Sequence, residues 1–142
     1  MHTRRQFSIA ALCLILLLAG CGQPLMPADP DGTLVDVRGG ALHAGVTPNG
    51  DLMDVSGDEP RGDEADAIRA FAQSLDADVD WTVGAEETLV RGLEDGTLDL
   101  VAGGLTDKTP WHMLVMLVPL GENAFLSELE HFLSSYVERG ER

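Results

Sequence analysis

The chain has 142 residues, of which 24 are acidic and 9 are basic, and its formal net charge is −15. This length allows one domain at most. So acidic a surface repels nucleic acid and anionic lipid headgroups, which excludes nucleic-acid binding as the expected function. The charge is typical of a protein adapted to a salty medium, where screening removes self-repulsion; a plain acidic surface is the alternative.

The first twenty residues resemble an export signal. Arg4 and Arg5 precede an apolar run over residues 9–18, and small residues precede Cys21. The run is too short for a permanent membrane-spanning helix, which needs about 20 residues. The paired arginines are typical of twin-arginine export, and the general export route is equally open.

Residues 18–21, LAGC, resemble a bacterial lipobox. The resemblance implies cleavage before Cys21 and lipid on its sulfur, so that the lipid would be the only membrane contact of a periplasmic or cell-surface protein. An ordinary signal with a chance cysteine is the alternative. Cys13 leaves with the signal, so no disulfide is expected and the fold must depend on its core.

Residues 21–32 contain three prolines and lack apolar periodicity, which predicts a tether that leads into one domain over 33–142. A short helical turn is expected at 33–38. Residues 41–46 predict an apolar strand and residues 52–55 a brief edge strand, because turn residues flank both.

From there the apolar spacing alternates between helix and strand periods. Helices are predicted from about residue 62 to residue 75, at 86–94 and at 123–137, and strands at 78–83, 98–103 and 113–118. Strands that alternate with helices through short connections predict an α/β fold with a mostly parallel sheet and right-handed crossovers.

Two strand ends carry the candidate site. Ligands of open α/β sheets bind beyond the carboxyl ends of the strands. Glycines there let a ligand approach the backbone, whose N–H groups can bind a carboxylate, while threonine hydroxyls and an indole add further contacts. A small polar ligand is predicted, and a tight turn that binds nothing is the alternative. The candidate residues are Thr47, Pro48, Asn49, Asp51, Gly103, Gly104, Leu105, Thr106, Thr109 and Trp111.

The sequence offers no set of residues for catalysis. A nucleophile elbow, a phosphate loop and a zinc knuckle are all missing. His43, His112 and His131 lie on different predicted elements, which favours surface or locally hydrogen-bonded histidines over metal ligands. We therefore expect a protein that is not an enzyme and uses neither a cofactor nor a metal.

Five segments, in order, resemble the family 3 extracellular solute-binding proteins, the capture components of ABC importers for polar amino acids and related solutes. They are LHAGVTPNGD, RGDEADAIRAFAQSL, DVDWTVG, LEDGTLDLVAGGLTDKTPW and GENAFLSELEHFL. Gly62, Glu64 and Asp66 match the family's glycine and two acids, whereas Asp63 replaces its usual aromatic residue. Trp111 lies where the family usually places an arginine for the ligand's α-carboxylate.

The resemblance implies a three-layer α/β/α lobe of the type II periplasmic-binding-protein fold, with one antiparallel return strand. Family members clamp a ligand between two lobes, whereas this sequence keeps the first lobe and the returning end. The resemblance thus implies weak, non-covalent binding of an amino-acid-like solute, with an ABC permease or another protein at the open cleft face. The alternatives are an interaction or sensory module without transport activity, and an inactive remnant of a deletion.

Overall fold

A computed structural model of the protein describes residues 28–104 and 116–140. The described elements are, in chain order, α1 (Thr33–Val37), β1 (Ala41–Val46), α2 (Asp63–Ser74), β2 (Asp78–Val83), α3 (Glu86–Glu94), β3 (Leu100–Ala102), β4 (Met116–Leu117) and α4 (Asn123–Gly140). The predicted export signal with Cys21 lies outside the described residues, as do the candidate site residues Leu105, Thr106, Thr109 and Trp111.

The four strands form one sheet in the order β2-β1-β3-β4. β1 is parallel to both of its neighbours, and Ala44 lies opposite Trp81 on one side and Leu100 on the other. β4 is antiparallel to β3. The prediction of a mostly parallel sheet with one antiparallel return strand is therefore confirmed.

Helices cover both faces of the sheet. Leu42, Ala44 and Val46 alternate along β1 into the larger core, which receives apolar residues from α1, α2 and α4. On the opposite face Val101 of β3 packs with residues of α3 in a smaller cluster that includes Leu89. The sheet thus lies between two helical layers, as the resemblance to a solute-binding lobe predicts.

Aromatic contacts join α2 to α4. The ring centroid of Phe71 lies 5.7 Å from that of Phe125, in an edge-on arrangement, and 5.4 Å from that of Phe132. Phe71 and Phe125 are fully buried, so this pair forms the centre of the larger core. Phe132 continues outward to Tyr136, with 5.5 Å between their ring centroids. The apolar face predicted for the last helix is therefore the face that packs on α2.

The predicted edge strand at 52–55 is wrong. The chain there folds back on itself through isolated bridges from Asn49 to Met53 and from Asp54 to Arg61, and it does not join the sheet. Met53 is fully buried in the larger core. Val55 also packs against this core. Alternating burial over four residues therefore does not distinguish such a loop from a strand.

A buried glutamate holds α1 against the start of α4. Glu122, whose side chain is 1% exposed, accepts hydrogen bonds from the backbone N–H groups of Asp31 at 3.1 Å and Thr33 at 3.2 Å. Gly32 precedes α1 and provides no side-chain cap. The Glu122 carboxylate therefore satisfies N–H groups at the start of a helix that is too short to be stable by itself.

Candidate functional site

The site lies where the order of strands reverses. From β1 the chain passes through α2 to β2 at one side of the sheet, and then through α3 to β3 on the other side of β1. In sheets of this kind the two loops that leave the adjacent strands diverge and leave a crevice between them. Here these loops begin at Thr47, after β1, and at Gly103, after β3.

The two loops are in direct contact at their first residues. The backbone N–H of Thr47 donates to the carbonyl of Ala102 at 3.1 Å. Gly103 has a φ of +106°, and a Cβ at this position would overlap the carbonyl oxygen of Thr47. At Gly104 a Cβ would lie 3.1 Å from the carbonyl oxygen of Pro48. Glycine is thus required at position 103 for the approach of one backbone to the other, whereas a Cβ at position 104 would make only a tight contact.

A tight loop returns the chain from β1 to α2. The N–H of Asn49 donates to the carbonyl of Met53 at 3.0 Å, and the N–H of Leu52 donates back to the carbonyl of Asn49 at 3.1 Å. Gly62 then has a φ of +109°, and a Cβ there would lie 2.5 Å from the carbonyl oxygens of both Asp51 and Leu52. This second close approach explains the glycine that begins the Gly62–Asp66 segment.

Glu64 is the residue that fixes the Asn49 side chain. Asn49 Nδ2 donates to Glu64 Oε1 at 2.9 Å, and Glu64 is only 3% exposed. Its second oxygen, Oε2, is buried and has no hydrogen-bond partner among the described residues. Burial raises the pKa of Glu64, and the hydrogen bond from Asn49 offsets only part of that increase.

Sequence reasoning identified Asn49 as a site residue but missed its partner. In the sequence, Glu64 stands out only as one of the two acids that match the pattern of the solute-binding family. Its burial was nevertheless visible in the spacing, since Glu64 precedes Ile68 by four residues and Phe71 by seven, on the same helix face. An acid on the apolar stripe of a helix is the signal that could have identified it.

The structure brings together five of the ten predicted site residues, namely Thr47, Pro48, Asn49, Gly103 and Gly104. Asp51 lies in the turn that follows and is exposed. Its backbone carbonyl lies against Gly62. Within the described part of the chain, its side chain makes no hydrogen bond to any of the five residues that come together. The remaining four lie outside the described residues.

His43 is far from this site, in the middle of β1. Its Nδ1 lies 3.0 Å from Asp99 Oδ2, and its Nε2 lies 3.8 Å from Asp80 Oδ2. The backbone N–H of His43 also donates to Asp99 Oδ2 at 2.9 Å. The prediction of a locally hydrogen-bonded histidine is confirmed. Over residues 28–104 and 116–140, no group of three or more histidine, cysteine, aspartate or glutamate side chains is placed so that it could hold a metal ion.

Within the same ranges, no helix is both long enough and apolar enough to cross a membrane.

Solved structures with a similar fold are solute-binding proteins. The arginine-bound form of domain 1 from TmArgBP is similar in two crystal structures. A point mutant of that domain has a TM-score of 0.64 at 13% identity and covers 74% of this chain and 98% of the domain. The other structure has a TM-score of 0.60 at 14% identity and covers 71% and 96%. The L-cystine solute receptor of Neisseria gonorrhoeae, unliganded and open, has a TM-score of 0.45 at 21% identity and covers 54% of this chain and 34% of the receptor.

The fold of this chain is therefore that of one lobe of a solute-binding protein. The match to domain 1 of TmArgBP extends over almost that entire domain, which agrees with the single lobe expected from the sequence. No protein-family model matches the sequence, and no curated protein matches it either.

Proposed function

We propose that this protein is an exported, lipid-anchored solute-binding protein of an ABC importer, and that it binds a small polar solute without covalent chemistry. The observation that carries the proposal is the meeting of two glycine-bearing loops at the carboxyl ends of β1 and β3. A glycine at such an edge puts no side chain of its own between a ligand and the backbone groups.

The Asn49 amide suggests which ligand group the site recognises. Its Nδ2 is occupied by Glu64. Its Oδ1 lies on the side of Gly104, 3.9 Å from where a Cβ would stand on that glycine. The amide therefore presents an acceptor between the two loops, and an acceptor selects an N–H or ammonium donor on the solute. An amino-acid-like or amine solute fits this arrangement.

The similar structures support binding by a lone lobe. Both structures of domain 1 from TmArgBP are arginine-bound forms of one domain. A half-cleft leaves the other face of the solute in water and buries less of it than a closed pair of lobes. We therefore expect affinity in roughly the millimolar range, equivalent to about 4 kcal/mol of binding free energy.

Solute binding is tested by thermal-shift and calorimetric titration of the purified chain with amino acids, amines and organic acids at low and high salt. One class of amine-bearing solute should stabilise the wild type, and Asn49→Ala should weaken its binding about tenfold, since one buried hydrogen bond is lost. Gln73→Ala, an exposed amide on α2, is the matched control. Failure of every solute to bind, or equal binding by Asn49→Ala, would contradict the proposed site.

Anchoring rests on the LAGC segment and is tested separately. Replacement of Cys21 by Ser should abolish lipid attachment and release the protein into the soluble exported fraction. Metabolic labelling with a fatty acid measures this directly, with Cys13→Ser as the control that should keep its label. Label retained by Cys21→Ser would sink the lipobox interpretation and leave the solute site untouched.

A further inference from the structure

A second surface lies at the opposite end of the sheet from the candidate solute site. A groove of about 650 Å³ borders β4 and the turn that follows it, over Val118 to Leu120. Because β4 runs antiparallel to β3, its end lies beside the beginning of β3 and away from Gly103. Leu98, just before β3, forms part of the same groove.

Leu93 and Leu98, which are buried, form the apolar floor of this groove, and Leu117 and Leu120 lie beside them in contact with water. Leu120 is 97% exposed and Leu117 is 36% exposed, although both are large aliphatic side chains. Val90 and Leu93 of α3 line the groove on one side. Burial of apolar surface is favourable, so an aliphatic group seated on Leu120 would be stabilised there. Exposed aliphatic side chains at the edge of a groove offer apolar surface that a docked partner would cover.

The rim of the groove is acidic on both sides. Asp31 and Asp36 border it at α1, while Glu94 and Asp95 border it at the end of α3. These two helices lie on opposite faces of the sheet, so the carboxylates bracket the apolar floor. Among the described residues, none of those that line the groove is a lysine or an arginine. A ligand in the groove would therefore meet negative charge on either side of an apolar centre.

We propose that this groove is a docking site for a segment of a partner protein in which aliphatic side chains are flanked by lysines or arginines. Such a segment would place its apolar side chains on Leu117 and Leu120 and its positive charges against the two acidic rims. A second copy of this chain is a poor match, since 24 acidic residues against 9 basic ones make the two surfaces repel. Anionic membranes and nucleic acids are repelled for the same reason.

The probe for this proposal is a fluorescein-labelled synthetic peptide with a leucine pair and lysines on both sides, titrated into the full chain and followed by anisotropy. A peptide with serines in place of the leucines measures attraction by charge alone. We expect saturable binding of the leucine peptide and about tenfold weaker binding of the serine peptide, because the apolar contact is lost.

Two variants of the protein locate the binding surface. Leu120→Ser should weaken the leucine peptide about tenfold without loss of core packing, since this side chain is 97% exposed. Asp36→Asn combined with Glu94→Gln should weaken it roughly threefold per charge removed. Val137→Ser, another exposed aliphatic position, and Asp58→Asn combined with Glu130→Gln, which removes the same number of charges, are the matched controls.

Controls that bind like the wild type, together with weaker binding by both groove variants, support the proposal. Peptide binding that does not saturate, or that is unchanged by Leu120→Ser, overturns it. Size-exclusion chromatography with light scattering tests whether a second copy of this chain occupies the groove. A dimer of the wild type that Leu120→Ser dissociates would assign the groove to a second copy and would equally overturn the proposal.

Discussion

At the scale of single residues, Gly103 is the position where an added Cβ would overlap its surroundings most among the described glycines. Its φ of +106° and the nearby Thr47 carbonyl both oppose a side chain. Gly103→Ala should therefore lower the free energy of unfolding by about 3 kcal/mol, since strain and overlap act together. Gly96→Ala is the matched control, because Gly96 has a φ of +75° and a Cβ there would meet no atom within 4 Å, so that only strain of about 1 kcal/mol remains. Urea unfolding measures both, and equal losses would refute the contact between the loops.

The burial of Glu64 predicts how the stability of the protein changes with pH. Its pKa is raised in the folded protein above the ordinary 4.5, chiefly by burial. A raised pKa means that the contribution of Glu64 to stability is fully present below its unfolded pKa and is lost as the pH rises through the folded value. Glu64→Gln should thus gain stability relative to the wild type as the pH rises above the ordinary pKa of 4.5.

Chemical denaturation at a series of pH values tests this. Glu86→Gln, at an exposed position of α3, corrects for the general effect of removing one negative charge. A difference between wild type and Glu64→Gln that does not change with pH, once corrected in this way, would mean that Glu64 is as well solvated in the folded protein as in the unfolded one.

At the scale of elements, α1 depends on a residue that lies 89 positions further along the chain. Glu122→Gln removes the charge that accepts two backbone N–H groups and should cost about 2 kcal/mol in the free energy of unfolding. Glu128→Gln is the matched control on α4, because Glu128 makes an exposed ion pair of 3.2 Å with Arg38, worth about 0.5 kcal/mol.

The cost of Glu122→Gln should itself depend on pH. Burial alone would raise the pKa of Glu122, but hydrogen bonds from Asp29 and from the N–H groups of Asp31 and Thr33 lower it below its ordinary value. Burial and the same hydrogen bond to Glu122 raise the pKa of Asp29. Because the folded pKa of Glu122 is lowered, its contribution is present above the unfolded pKa and is lost as the pH falls through the folded value. A cost that grows on acidification would contradict this assignment.

The sequence predicted the helices and strands well and the loops poorly. The periodicity that placed β1, β2 and α3 comes from burial on a regular lattice, and the structure reproduces those bounds. The strand predicted at 98–103 is shorter, because the N–H groups of Thr97 and Leu98 both donate to the carbonyl of Gly92 and complete the end of α3 instead. In the site, Gly103 and Thr47 were predictable from the strand ends. The pairing of Asn49 with Glu64 was not, since it depends on how an irregular loop returns to α2.

At the scale of the whole molecule, charge should make stability depend on salt. With a formal net charge of −15, self-repulsion weakens the compact state at low ionic strength. The melting temperature should therefore rise as NaCl increases from tens of millimolar to about molar, where the Debye length is about 3 Å. The same salt series measured near the isoelectric point of about 4.3 is the control, since little net charge remains there to be screened. A melting temperature that does not change with salt at neutral pH would show that charge repulsion contributes little to stability.

The N–H of Ala124 donates to the carbonyl of Ala28, at 3.0 Å, and so ties the first described residues to the lobe. It fixes the point where the preceding residues join the lobe at the beginning of α4, beside the acidic groove and at the far end of the sheet from Gly103. Under the proposed lipid anchor, the chain would enter the lobe at the end of the sheet that carries the groove. The crevice between the loops after β1 and β3 lies at the other end of the sheet from that point of entry.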